Sequence, residues 1–568
     1  MIFEAGVGEA NELNASQAAS RCARCFTLTV QSAGSTIRVL LGLDLSCSLE
    51  RDAMRLLRFA RLGKLNWGSN SCALLLLFAA TVIASPAQTV TTIYSFNSFT
   101  GNTPEALVQA TNGNLYGGAR LGGTNCRVRR EAGIGCGSIF EITTGGVAKR
   151  LYSFCPGGDG NCNDAEPYAA LVQAPNGNFY GTTVGNAEYG YGAGSVFEIT
   201  PSGELTTVYI FCSVMTISER CLDGIAPVGG IVRAVNGNFY GTTAGGGTNC
   251  NVNGCGTIFT VTPGGALTTI YNFCELSDCT DGADPVATMI QDTDGNFYGT
   301  TQNGGANCIS AGGCGTIFKV TSTGELTTLY SFCSQTNCTD GESPAALIRG
   351  PNGVIYGSTV YGGTSTSCPS GCGTIFRITP SGILTTLHSF DNTDGNDPST
   401  PIQATDGNLY GTTSAGGANG QGTIYKIAPN RTLTTLYNFC AQSACADGSA
   451  PVGILQDTNG NFYGTTASGG TSDTCTGGCG TVYSLSLGLG AFVETQTTFG
   501  QVGDSVKILG TDLTGATSVT FNGTAAAFTV VSSSEIKTTV PTGATTGTVQ
   551  VITPSGTLSS NQEFRVTP

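Results

Sequence analysis

The sequence predicts an all-β fold: a seven-bladed β-propeller of four-stranded blades, its last blade closed by an N-terminal strand, followed by a small immunoglobulin-like β-sandwich. Three observations predict it. A phrase of the N-x-Y-G type recurs seven times, each of the first six copies carries four short β-like runs and the seventh three, and the array opens with a copy of its own last run. Composition agrees: 83 glycines without a G-x-y period exclude collagen, and 40% hydrophobic residues exclude disorder.

Residues 1–87 read as an N-terminal extension and signal peptide. Arg55, Arg58, Arg61 and Lys64 precede an apolar run from Cys72 to Ala84, and Ser85-Pro86-Ala87 supplies the small residues of a cleavage site. The apolar run is too short to span a bilayer comfortably, so cleavage after Ala87 is expected, with no transmembrane anchor in the mature chain. Residues 1–53 fit no signal-peptide logic, which makes Met54 the expected start. The first 87 residues hold 8 Lys/Arg and 6 Asp/Glu, so the remainder carries 16 against 32, a net −16. Such a charge repels phosphate backbones and argues against nucleic acid as a partner.

Residues 88–487 form the expected propeller. The recurring tyrosines are Tyr116, Tyr180, Tyr240, Tyr298, Tyr356, Tyr410 and Tyr463. Around Tyr298 the four runs are PVATMIQD, GNFYGTT, GTIFKVT and LTTLYSF, rich in Thr, Ile, Val, Phe and Tyr. The first two are joined by Asn-Gly or Asp-Gly, from Asn112-Gly113 through Asp294-Gly295 to Asn459-Gly460, a pair that predicts a type I′ hairpin turn. Turns like Thr200 to Glu204 join the third and fourth. TVTTIYSF, at Thr89 to Phe96, copies the fourth run, and after GTVYSLSL, at Gly480 to Leu487, no fourth run follows. The N-terminal copy is therefore expected to complete the last blade and close the ring.

The pattern G-N-x-Y-G-T-T…GG…G-T-I-F-x-I-T-P-x-G-x-L-T-T-L-Y-x-F resembles the GloVer tandem repeat of bacterial surface and secreted proteins, over roughly residues 89–487, and is more loosely similar to kelch-type blades. The resemblance implies a repeat propeller on an exported protein and brings no established activity. Residues 488–568 change character. Val506-Lys507-Ile508-Leu509-Gly510, Phe521-Asn522-Gly523, Val540-Pro541 and Val549-Gln550-Val551 resemble an IPT/TIG domain, which implies an immunoglobulin-like spacer or protein-contact module.

Twenty of the 24 cysteines lie in the repeat array, in two kinds of loop. Loops between second and third strands hold Cys126/Cys136, Cys250/Cys255, Cys308/Cys314, Cys368/Cys372 and Cys475/Cys479. Loops between blades hold Cys155/Cys162, Cys212/Cys221, Cys274/Cys279, Cys333/Cys338 and Cys440/Cys445. Loops without cysteine lack both members, so pairing within each loop is expected, in an oxidising compartment. The rival reading is zinc, but a closed site needs four ligands and the chain has one histidine.

Both kinds of loop emerge on one face of an up-and-down blade, so the disulfides rigidify the face where loop length varies, and binding is expected there. Asp164, Asp223, Asp281, Asp340, Asp394 and Asp447 recur just after the second cysteine position. They form either a carboxylate ring for Ca²⁺ or a cationic ligand, or Asx turns before glycine. On the inner strands Gln109, Gln173, Arg233, Gln291, Arg349, Gln403 and Gln456 occupy equivalent positions. They form either a channel ring for an anionic ligand or a belt satisfied by neighbouring strands and water.

No catalytic constellation is apparent. His388 stands where sibling blades carry Tyr152, Tyr271, Tyr330 and Tyr437, and so reads as a packing residue rather than a general base. The expectation is a secreted or cell-surface, non-catalytic scaffold that contacts an extracellular glycan or protein, with no cofactor required. The alternatives are an extracellular polysaccharide-acting propeller enzyme, hydrolase or lyase, using paired carboxylates, or a purely structural envelope or matrix component.

Overall fold

The computed structural model describes residues 26–33, 36–43, 89–124, 136–155, 165–185, 193–216, 220–249, 254–307, 313–350 and 353–567. Residues 1–85 form a unit of their own, in which Phe26–Ala33 pairs antiparallel with Thr36–Leu43. The expected signal segment, 54–87, lies outside the described residues.

From Thr89 onward the fold is a propeller-like repeat of antiparallel sheets. The first sheet is Asn102–Gln109, Leu115–Leu121, Ser138–Ile142 and Ala148–Ser153, in sequence order. The fourth is Ile290–Gln291, Phe297–Thr301, Thr316–Val320 and Leu326–Ser331. Here the expected eight-residue first run pairs over only two residues. The last repeat unit contributes Ser449–Gln456, Phe462–Ser468 and Thr481–Ser486, and its fourth strand is Thr89–Ser95. That strand pairs antiparallel with Thr481–Ser486, Thr89 opposite Ser486 and Ser95 opposite Thr481.

Apolar side chains cluster between consecutive sheets rather than within them. One cluster joins Tyr116 and Phe154 of the first unit to Phe179 and Phe197 of the second, and another joins Tyr463 and Val482 of the last unit to Leu115 and Phe140 of the first. Two aromatic contacts recur at these seams. The N-x-Y-G tyrosine stacks on the next unit's second-strand phenylalanine, as Tyr240 does on Phe297 with centroids 4.1 Å apart. The phenylalanine ending the fourth strand meets the next third strand edge-on, as Phe273 meets Phe318. Each such pair contributes about 1 kcal/mol beyond its buried area.

The hairpin between first and second strands differs from the type I′ expectation. Gly113 N–H donates to Ala110 O, and Ala110 N–H donates to Asn114 O. Gly113 has φ +81°, while Asn112 is absent from the left-handed residues, so the loop is a type I turn followed by a left-handed glycine, the three-residue hairpin with a bulge. The cause is the asparagine side chain: Asn112 Oδ1 accepts from Asn114 N–H at 3.1 Å and holds Asn112 in the right-handed region. The same pair of backbone bonds recurs from Gly177 and Ala174 to Gly460 and Asp457.

A second device interlocks neighbours. The glycine of G-T-I-F sits against the proline that opens the next unit's inner strand. At Gly256, with φ +92°, a Cβ would lie 2.3 Å from Thr243 O and 2.6 Å from Pro285 Cδ. The residue before each proline is left-handed and donates its N–H back across the seam, as Asp284 does to Cys255 O at 3.0 Å.

After the array, one sheet holds Glu494–Thr495, Ser505–Leu509, Glu535–Thr539 and Phe528–Val530, and another holds Phe499–Gly500, Gly556–Val566, Gly547–Thr553, Ser518–Phe521 and Thr524–Ala525. Val506, Ile508, Phe521, Ile536, Val551 and Phe564 fill the space between them. Among the described residues no helix is long and apolar enough to cross a membrane.

Candidate functional site

Loops between units and loops between second and third strands meet at the ends of the sheets opposite the hairpin turns. Cys212–Cys221, Cys274–Cys279, Cys333–Cys338 and Cys440–Cys445 close the former; Cys368–Cys372 and Cys475–Cys479 close the latter. Cys136, Cys155, Cys255 and Cys314 are also disulfide-bonded, and Cys126, Cys162, Cys250 and Cys308 lie outside the described residues. The two loop types are bonded to each other: Gly247 N–H donates to Cys221 O, Gly305 to Cys279 O and Gly470 to Cys445 O, each at 2.9 Å. Cys255, Cys274 and Cys279 converge, as do Cys314, Cys333, Cys338 and Glu342, but their sulfurs are in disulfides and offer no thiolate for a metal.

The repeated aspartates sit inside this layer. Asp281, fully buried, accepts from Tyr271 OH at 2.8 Å, Glu275 N–H at 3.0 Å and Leu276 N–H at 3.3 Å. Asp340 and Asp447 repeat the pattern with Tyr330 and Tyr437, and Asp223 with Tyr209. Both sequence readings need correction. The carboxylates of Asp223, Asp281, Asp340 and Asp447 are turned into their own loops rather than toward a shared Ca²⁺, and they reach back to the loop's first residues rather than forming an Asx turn. Each ties the disulfide loop to the fourth strand of its sheet. Burial, reinforced by the aspartate, pushes the Tyr330 phenol up to about 12. Asp394 is the partly exposed variant, with His388 Nε2 at 2.7 Å in the tyrosine's place. Asp164 lies outside the described residues.

The inner-strand residues form a belt of latches. Four of the five glutamines turn back onto the preceding unit's hairpin. Gln173 Oε1 accepts from Thr111 N–H, Gln291 from Val235, Gln456 from Thr405 and Gln109 from Thr458, all at 3.0 Å. The last of these joins the final unit to the first. At the other positions the latch changes. Pro175 removes the turn N–H ahead of Arg233, and ahead of Arg349 the Thr293 N–H is taken by Asp292 Oδ1, which also receives Arg349 Nε. Ahead of Gln403 stands Pro351, and Gln403 Oε1 is buried without a partner. A free polar ring is therefore not what the inner strands present.

The C-terminal domain sits on the hairpin-turn face, which the sequence did not foretell. Ser534 Oγ donates to Thr111 O, Gln496 Nε2 to Ala174 O, Gln562 Nε2 to Arg349 O and Asn561 Nδ2 to Gln403 O. Phe492 N–H donates to Thr458 O. One cavity of about 360 Å³ lies under this contact, lined in part by Gln109, Gln403, Gln456, Glu494, Asn561 and Gln562. A neighbouring one of about 270 Å³ lies toward Asp292, Thr498 and Arg565. Burial, then the charge of Asp457, pushes Glu494 up to about 7, and burial pushes Asp457 to about 6. These C-terminal residues occur once in the chain, so no internal comparison marked them.

Three overlapping stretches, residues 80–220, 213–367 and 309–531, match the Gloeobacter/Verrucomicrobia repeat. No curated protein matches the chain. A solved fungal alcohol oxidase in complex with copper is similar over 84% of this chain and 99% of its own, at 12% identity and TM-score 0.45. The extracellular domain of a hybrid two-component system from B. thetaiotaomicron is similar over 85% of this chain and 60% of its own, at 12% identity and TM-score 0.42. Likeness at this level says nothing about activity. Because the repeat matches together run from residue 80 to residue 531, most of its length, the chain belongs to the Gloeobacter/Verrucomicrobia repeat family.

Proposed function

We propose that this protein is a secreted or cell-surface binding scaffold: a seven-bladed, kelch-like propeller with a docked IPT/TIG-type immunoglobulin-like domain, contacting an extracellular glycan or protein without catalysis. The observation that carries the reading is the division of labour between the two faces. The C-terminal domain occupies the hairpin-turn face through bonds to several repeat units. The opposite face keeps loops of variable length, pinned by disulfides and buried aspartates, and exposes Val214, Met215, Leu276 and Tyr361. The disulfides fit an oxidising compartment. His388 is held by Asp394 in the role its sibling tyrosines play, which supports a non-catalytic reading.

The test is retention of the purified protein on a panel of insoluble polysaccharides, with reducing-end release followed in the same tubes. Retention without release is expected, and reduction of the disulfides should abolish it. Release of reducing ends by protein of verified purity overturns the non-catalytic reading. Absence of retention on every polysaccharide removes glycan from the proposal and leaves a protein partner.

A further inference from the structure

Two disulfide loops of the fourth repeat unit bring a carboxylate up against their sulfurs. Cys314 lies in the loop between the second and third strands and is disulfide-bonded. Cys333 and Cys338 are bonded to each other in the loop that leads to the fifth unit, and Glu342 opens that unit's inner strand, Glu342–Arg349. The three Sγ atoms and a Glu342 carboxylate oxygen all lie within 4.8 Å of one another. Bonds other than the disulfides hold these residues in place. Ser343 N–H donates to Cys314 O at 3.0 Å, Gly363 N–H to Cys338 O at 2.9 Å and Cys333 N–H to Gly341 O at 3.3 Å. The buried Asp340 ties down Ser334 and Gln335 between the two loop cysteines. Burial raises Glu342 above the ordinary carboxylate range. In the third unit Cys255, Cys274 and Cys279 converge in the same way, but Ala283 stands where the fourth unit's junction has Glu342.

Reduction turns this cluster into a ligand set. A dithiol opens each disulfide by thiolate exchange: the dithiol becomes a cyclic disulfide, and the protein's bond becomes two thiols. Three sulfurs exclude calcium and magnesium, which take oxygen ligands, and the carboxylate beside them suits zinc better than copper(I). Zinc bonds sulfur at about 2.3 Å, so a tetrahedral centre sets its sulfurs about 3.8 Å apart. The Cys333–Cys338 pair parts to that spacing once its bond opens, and the other atoms draw in by about 1 Å at most. We propose that the reduced protein binds a zinc ion here, on Cys314, Cys333, Cys338 and Glu342, with release of about three thiol protons. The loop pair is then closed by disulfides in an oxidising compartment and by metal in a reducing one. This site does not depend on the scaffold reading.

The experiment uses the full-length protein, reduced with dithiothreitol, freed of it under argon and titrated with cobalt(II), whose tetrahedral thiolate complexes absorb in the visible. The tightest site should show that absorption with the sulfur-to-metal intensity of three thiolates, and added zinc should bleach it. The unreduced protein should show none, and circular dichroism should show the strands kept after reduction. Glu342→Gln removes one ligand and should weaken the tightest site about tenfold or more, the least that losing even an outer partner of a metal ligand tends to cost. Ala283→Glu supplies the missing carboxylate in the third unit and should add a second site of like affinity. No tetrahedral absorption in the reduced parent, a four-thiolate spectrum, unchanged affinity in Glu342→Gln, no second site in Ala283→Glu, or loss of the strands on reduction would each overturn the proposal.

Discussion

At the scale of single residues, the buried aspartate is what turns a short disulfide loop into a fixed part of the sheet. Asp340 is fully buried and accepts from Tyr330 OH at 2.7 Å, Ser334 N–H at 2.9 Å and Gln335 N–H at 3.3 Å. Hydrogen bonds to a charged acceptor contribute about 1.5–3 kcal/mol each, and removing the acceptor orphans every donor at once. Asp340→Ala should therefore cost about 3 kcal/mol and lower the melting temperature clearly, while Tyr330→Phe, which removes one donor, should cost about 1 kcal/mol. Equal and small shifts for both variants in thermal denaturation would mean the carboxylate is not the anchor. The phenol's dependence on pH has a definite sign. Its pKa is raised to about 12, so its contribution is intact below the ordinary value of 10 and is lost as pH rises through 12. The recurrence of these aspartates was visible in the sequence, whereas their partners were not. Tyr271 and Asp281 are ten residues apart across a loop whose length changes from unit to unit.

At the scale of elements, each repeat unit is shaped by what its neighbour leans on. Gly373, with φ +88°, would place a Cβ 2.4 Å from Thr359 O and 2.6 Å from Pro398 Cδ. Neither atom is the free end of a flexible chain, so Gly373→Ala combines left-handed strain with overpacking and should cost about 2–4 kcal/mol. A melting temperature within a degree or two of the parent would show that the proline can step aside. The strands themselves were legible because period-2 runs and turn glycines repeat in register, and so was ring closure, since Thr89–Ser95 carries the same Thr-Thr-x-Tyr as Leu326–Ser331. The turn type was not. An Asn-Gly pair suits two conformations, and the choice here is made by Asn112 bonding Asn114. The fifth unit, with Val354 in the place of that second asparagine, keeps the same backbone loop through Gly350 and Gly353. The glutamine latches lay between: equivalence was readable, but their target is a turn about 50–60 residues earlier in the chain, a distance at which sequence periodicity gives position without direction.

At the scale of the whole molecule, the C-terminal domain and the ring share a seam that holds two carboxylates away from their ordinary ionisation. Glu494 rises from 4.5 to about 7 and Asp457 from 3.8 to about 6, burial being the larger cause for both. Groups raised in the docked state favour docking while protonated. Their contribution is therefore fully present below about pH 4, declines as pH rises through 6 and 7, and is gone above that window. The main-chain anchors at Thr111, Ala174, Arg349 and Gln403 carry no such dependence, so docking should loosen with pH rather than fail. Amide exchange at Phe492, whose N–H is bonded to Thr458 O across the seam, reads this directly. Its protection, corrected for the intrinsic exchange rate, should fall between pH 5 and pH 8 in the parent and stay level in an Asp457→Asn, Glu494→Gln double variant. Protection that tracks pH equally in both proteins would place the dependence elsewhere, with Glu105, which burial raises to about 8 in the first inner strand, the next carboxylate to replace.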